Sequence, residues 1–126
     1  MTKKVLVTGA TRGIGKAIFE RLSTFSDEYS VYITARNEIA LKALNSDGFL
    51  ACDLSTEVNK LCNYIQEQKF DIIINNAGEY IYGAIDTMTD KQISSIYKTN
   101  LIAPVKIISA STPHMKENKF YYKLIT

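Results

Sequence analysis

The chain has no tryptophan, one histidine, two cysteines and two prolines in 126 residues. His114 cannot build a metal centre alone, so no metal site is expected. Cys52 and Cys62 do not make a disulfide framework; they read as reduced thiols of a cytoplasmic chain. An excess of one charge is missing as well. The 15 Lys and Arg stand against 13 Asp and Glu, and a net charge of +2 gives no reason to expect a nucleic acid or a membrane surface as partner. Long apolar runs are absent too. Val5-Leu6-Val7, after Lys3-Lys4, is too short for a secretion signal, and nothing approaches the roughly 20 apolar residues of a membrane span. With so little proline, and no repeat or low-complexity tract, no linker divides residues 1–126.

What is present is the composition of one modest globular domain, 46% hydrophobic and 22% charged. Val5-Leu6-Val7, Val31-Tyr32-Ile33, Phe49-Leu50-Ala51 and Ile72-Ile73-Ile74 are apolar on successive residues. Strands covered on both faces read this way. Helical periodicity fills the gaps between them. Ile14, Ile18, Leu22 and Phe25 share one face, and so do Val58, Leu61, Cys62 and Ile65 after the expected caps Ser55 and Thr56. Ile39 to Leu44 allows a short helix. Thr89 and Gln92 match a capping box that opens a long helix, with Ile93, Ile96, Tyr97, Asn100 and Leu101 expected on its inner side. Pro104 predicts a kink or an early end there. The alternating order, with a fifth strand expected at 120–125, gives an α/β fold with a doubly wound parallel sheet. Ligands of such sheets bind at the carboxyl ends of the strands.

The residues with chemical content fall at those ends. Thr8-Gly9-Ala10-Thr11-Arg12-Gly13-Ile14-Gly15 follows the first strand and opens a helix. Gly9 suits a tight turn, Gly13 a close approach of backbone to a pyrophosphate, and Gly15 close packing of helix on sheet. The helix N-terminus then offers free N–H groups to phosphate. At the end of the second strand, Thr34-Ala35-Arg36-Asn37 carries no carboxylate to repel a ribose 2′-phosphate, and Arg36 can pair with one. The expected cofactor is therefore NADP rather than NAD, each charge-assisted bond contributing roughly 1.5–3 kcal/mol.

The spacing Thr-Gly-x-x-x-Gly-Ile-Gly, Asp53 after the third strand, Asn75-Asn76-Ala77-Gly78 after the fourth and Asn100 in Lys98-Thr99-Asn100-Leu101 together resemble the short-chain dehydrogenase/reductase family. The resemblance implies a Rossmann domain, incomplete at its C-terminus, and hydride transfer between NADP(H) and a carbonyl or alcohol. It implies cofactor contacts from Gly9, Thr11, Arg12, Gly13, Ile14, Gly15, Arg36, Asp53, Leu54, Asn75, Asn76, Ala77 and Gly78. Arg12 resembles the second basic residue of NADP-preferring members. Asn100 matches the asparagine of the family's catalytic tetrad, and its place on the inner helix face makes it an expected buried, structural brace.

The same resemblance exposes what is missing. The family's catalysis needs a Ser, and a Tyr with a Lys four residues later; none of the eight tyrosines has that lysine. The segment after the long helix, Lys119-Phe120-Tyr121-Tyr122-Lys123, departs from the family's strand. Read one nucleotide later, its codons can give Phe-Ile-Ile-Asn, so a frameshifted, truncated chain is expected, inactive in turnover and lacking most of the family's oligomer interface. A non-catalytic dinucleotide sensor, an interaction module or an inert gene remnant are the alternatives. Sequencing the gene past codon 118 tests the frameshift: an alternative frame should encode a Ser and a Tyr-x-x-x-Lys segment, and its absence ends the idea.

Overall fold

The computed structural model describes residues 1–118, so the expected strand at 120–125 lies outside the described residues. Four strands, β1 (Lys3–Thr8), β2 (Tyr29–Ala35), β3 (Gly48–Ala51) and β4 (Ile72–Ile74), form one parallel sheet in the order β3-β2-β1-β4. Val5 pairs with Val31 on one side and Ile72 on the other, which makes β1 an interior strand. Val5, Leu6 and Val7 are accordingly fully buried.

Strand alternation sorts the core into two layers. Leu6 and Ile73 point to the face covered by α3 (Val58–Gln68) and α5 (Ala103–Glu117), where they meet Leu61, Ile65, Phe70, Ile107 and Met115. Val5, Val7, Val31, Ile33 and Ile74 point to the other face, against Phe19 of α1 (Gly13–Ser23) and Leu41 of α2 (Glu38–Ala43). Apolar residues on consecutive positions are thus used on both sides. Burial also pushes the Cys52 thiol up to about 11, which keeps it a protonated, unreactive core residue at neutral pH.

Three expected helix faces or caps are corrected by the structure. Of the face expected for α1, Ile18 and Leu22 do pack against the core, beside the buried Gly15 and Phe19, while Ile14 and, past the helix end, Phe25 are exposed. The contact of Gly15 with the glycine loop fixes the helix rotation, and a glycine carries no hydrophobic signal. Ser55 and Thr56 do not cap α3; Glu57 precedes it without a side-chain cap, because the Ser55 hydroxyl is spent on Asp53. The Thr89–Gln92 capping box does open α4 (Asp90–Tyr97), and a π-helical turn, Lys98–Ile102, then leads into α5 with Pro104 in its first turn. Ile93, Tyr97 and Leu101 are exposed rather than inward. A second stripe at the same spacing, Ala103, Ile107, Ser111 and Met115, is the one that faces the sheet. The sequence holds both stripes, and its periodicity marks a face without saying what covers it.

Phe70 shows what holds the larger layer. It is 1% exposed, with the Tyr32 ring edge-on at 5.2 Å and the Tyr64 ring at 5.8 Å. Phe70→Ala should cost about 3–5 kcal/mol, read as a lowered urea midpoint at unchanged slope; a loss under about 1 kcal/mol would mean this layer does not carry the fold.

Candidate functional site

The carboxyl end of β1 turns into α1 through two residues at positive φ, Gly9 at 65° and Gly13 at 56°. A Cβ on Gly13 would meet nothing within 4 Å, so the space above the loop is open. A Cβ on Gly15 would run into the Gly9 carbonyl and the Asn76 amide, which locks helix to loop. Arg12, the residue before α1, is extended and gives no side-chain cap. The first N–H groups of α1 therefore face outward uncapped, with the helix's partial positive charge behind them. Ile14 and Arg12 are exposed at this rim and Thr11 is half-buried. The glycine loop is thus an open turn at an uncapped helix N-terminus, an arrangement suited to an anion.

A second loop is stitched to the first. Thr8, 1% exposed, accepts hydrogen bonds through its hydroxyl from the main-chain N–H groups of Asn76, at 3.0 Å, and Ala77, at 2.9 Å. The same hydroxyl lies 3.4 Å from the Ile74 carbonyl, to which it donates. Asn76 answers by donating its side-chain amide to the carbonyls of Thr8 and Gly9. Residues 75–78 are so fixed beside the glycine loop. Asn75 is 5% exposed, and both polar atoms of its amide lack a partner among the described residues. A buried amide in that condition fits a site built to bond something else.

The other end of the site lies past β2 and β3. Arg36 is exposed after β2 and makes no ion pair among the described residues; Asn37 beside it caps α2 by accepting from Ala40 N–H. Asp53 follows β3. Its carboxylate accepts from the Ser55 hydroxyl at 2.7 Å and the Ser55 N–H at 2.9 Å. The hydroxyl bond, with the N–H bond and the charge of Arg36, holds its carboxyl below the usual carboxylate range against the opposing effect of burial. One carboxylate oxygen stays clear of these bonds. Leu54, by contrast, is buried in the α3 layer.

Asn100 is not where the helical pattern put it. The stripe it was expected to share, Ile93, Tyr97 and Leu101, is itself exposed, and Asn100, within the π-helical turn closed by the Ala103 N–H on the Lys98 carbonyl, is exposed too. It is nonetheless a brace: its Oδ1 accepts from Glu79 N–H at 2.7 Å and its Nδ2 donates to the Glu79 carbonyl at 2.6 Å. Sequence reasoning missed Glu79 and the role of Thr8. Thr8 stood in the glycine run, and its polarity at a fully buried strand end was the signal. Thr8→Val keeps shape but strips the acceptor from two loop N–H groups; a loss of about 1–3 kcal/mol in urea unfolding is expected, and no loss would show that the stitch is immaterial.

A family model described as short chain dehydrogenase matches residues 3–120. The 3-oxoacyl-[acyl-carrier-protein] reductase MabA of Mycobacterium bovis is 29% identical over 124 residues, covering 95% of this chain and 48% of that protein. The short-chain dehydrogenase/reductase olcF of Penicillium canescens is 33% identical, covering 91% of this chain and 47% of that protein. A metagenomic short-chain oxidoreductase solved in complex with NADP superposes with a TM-score of 0.85 at 29% identity, covering 98% of this chain and 61% of that one. The chain spans about half the length of the curated relatives it matches. With the glycine cradle and the stitched 75–78 loop at the ends of a 3-2-1-4 parallel sheet, the match over nearly all described residues makes this chain a member of the short-chain dehydrogenase/reductase family.

Proposed function

We propose that this chain is the dinucleotide-binding part of an NADP(H)-dependent oxidoreductase that acts on a carbonyl or alcohol. The observation that carries the reading is the uncapped N-terminus of α1 under the open space above Gly13. Gly13, Ile14 and Gly15 would hold the pyrophosphate through their main-chain N–H groups. The free oxygen of Asp53 would accept from the adenine amino group. Arg36, with Arg12 across the loop, would pair with the 2′-phosphate, and no carboxylate at the end of β2 opposes it. Asn75 to Gly78 would line the path toward the nicotinamide. The bound cofactor supplies the hydride. The mycobacterial relative is named as a reductase of 3-oxoacyl groups, which supports a carbonyl as the oxidised substrate.

The 126 residues hold no Tyr with a Lys four positions on, so these residues bind and orient cofactor and do not furnish the family's acid–base pair. Positioned acid–base catalysis contributes roughly 10²–10⁴-fold. A fluorescence titration of the 126-residue chain should give saturable NADPH binding without turnover, with NADH bound about tenfold or more weakly. Arg36→Ala should bring the two affinities together. Equal affinities in the unsubstituted chain, or no saturation with either cofactor, would sink the proposal.

A further inference from the structure

Glu79 follows the stitched loop and belongs to none of the motifs. Four hydrogen bonds hold it. Its carboxylate Oε2 accepts from the Ser95 hydroxyl at 2.6 Å and from the Thr99 hydroxyl at 3.4 Å. Its main-chain N–H and carbonyl are both taken by the Asn100 amide. Ser95 and Thr99 are four apart, on one face of successive turns, and Asn100 is next to Thr99. A single residue is therefore gripped by side chain and main chain together, from α4 and from the π-helical turn. Glu79, Ser95 and Thr99 are half-buried, so the two carboxylate bonds are partly shielded from water, while the Asn100 bonds are exposed.

The consequence is a loop held at both ends. Asn76 and Ala77 are tied to Thr8 and Gly9, and Glu79 is tied to α4, with only Gly78 between the two anchors. A Cβ on Gly78 would lie 3.6 Å from Asn100 Oδ1, so that residue too sits against the brace. The sheet order separates this place from Arg36 and Asp53, which follow β2 and β3 on the far side of β1. A dinucleotide lying along the strand ends presents its adenosine half there and its nicotinamide half to the 75–79 loop.

We infer that Glu79 is a positioning residue for the nicotinamide half of the dinucleotide: its carboxylate, fixed by Ser95 and Thr99, holds its main chain against Asn100 and so sets the 75–78 loop, and the adenosine half is held without it. The inference rests on the cofactor reading above. An ordinary loop anchor would instead lower stability and weaken every ligand alike.

The test pairs two ligands on the 126-residue chain: NADPH, and adenosine 2′,5′-bisphosphate, which has no nicotinamide. Glu79→Ala should weaken NADPH about tenfold, the size of one lost charge-assisted bond, and leave the bisphosphate within about twofold. Glu79→Gln keeps an acceptor oxygen for the two hydroxyls and should restore most NADPH affinity. Ser95→Ala, which leaves the loop sequence intact, should fall between them and covers the case in which Glu79→Ala does not fold. Equal losses for both ligands, or none for either, overturn the inference. If the unsubstituted chain binds neither ligand, the cofactor reading is what has failed. Amide hydrogen exchange then tests the part that needs no cofactor: faster exchange at residues 76–79 in Glu79→Ala, reversed in Glu79→Gln, shows that the carboxylate fixes this loop, and unchanged exchange overturns the inference.

Discussion

One hydroxyl group organises the carboxyl end of this sheet. Thr8 ends an interior strand with its side chain fully buried, and its oxygen is the acceptor for the N–H groups of Asn76 and Ala77 beyond β4. Two loops that are distant in sequence become one surface through it. The glycine loop would otherwise be free to open away from the sheet, and the uncapped start of α1 would point at nothing in particular. Burial is what makes so small a group effective. Water cannot replace an acceptor inside the sheet, so the two N–H groups remain where the threonine oxygen is.

The fold was largely legible because parallel sheets write themselves plainly. Four consecutive apolar runs, separated by helical spacing, leave few other arrangements. The glycine spacing and residues 75–78 were legible for a related reason: turns and close approaches restrict residue type strongly. Helix rotation was harder to read. In α1 one of the two buried residues, Gly15, is a glycine, and in α4 and α5 two apolar stripes of equal spacing compete. Composition does not distinguish a face packed on this sheet from a face that is exposed in these residues.

Polar networks were the least legible part. Glu79, Ser95 and Thr99 look like ordinary surface residues, and only the course of the backbone brings them together. Asp53 was recognisable by its place after a strand, but its partnership with Ser55 was hidden by the better-known use of serine as a helix cap. Asn100 shows the same effect from the other side. Its identity was informative, while its surroundings depended on a turn that helical periodicity of 3.6 does not describe.

That turn sets a condition of a different kind. From Lys98 to Ile102 the chain spends one more residue per turn than the helices on either side. Each residue of an α-helix advances the angle by about 100°. The extra residue is therefore an angular correction between two helices with separate duties: α5 must aim Ala103, Ile107 and Met115 at the sheet, and the turn must aim Asn100 at Glu79. Many side chains in the segment are interchangeable on that account, but the number of residues is not. Removing one would leave the composition nearly untouched and break the phase between core and brace, so in this stretch length is a constraint in its own right, beside the chemistry of Thr99 and Asn100.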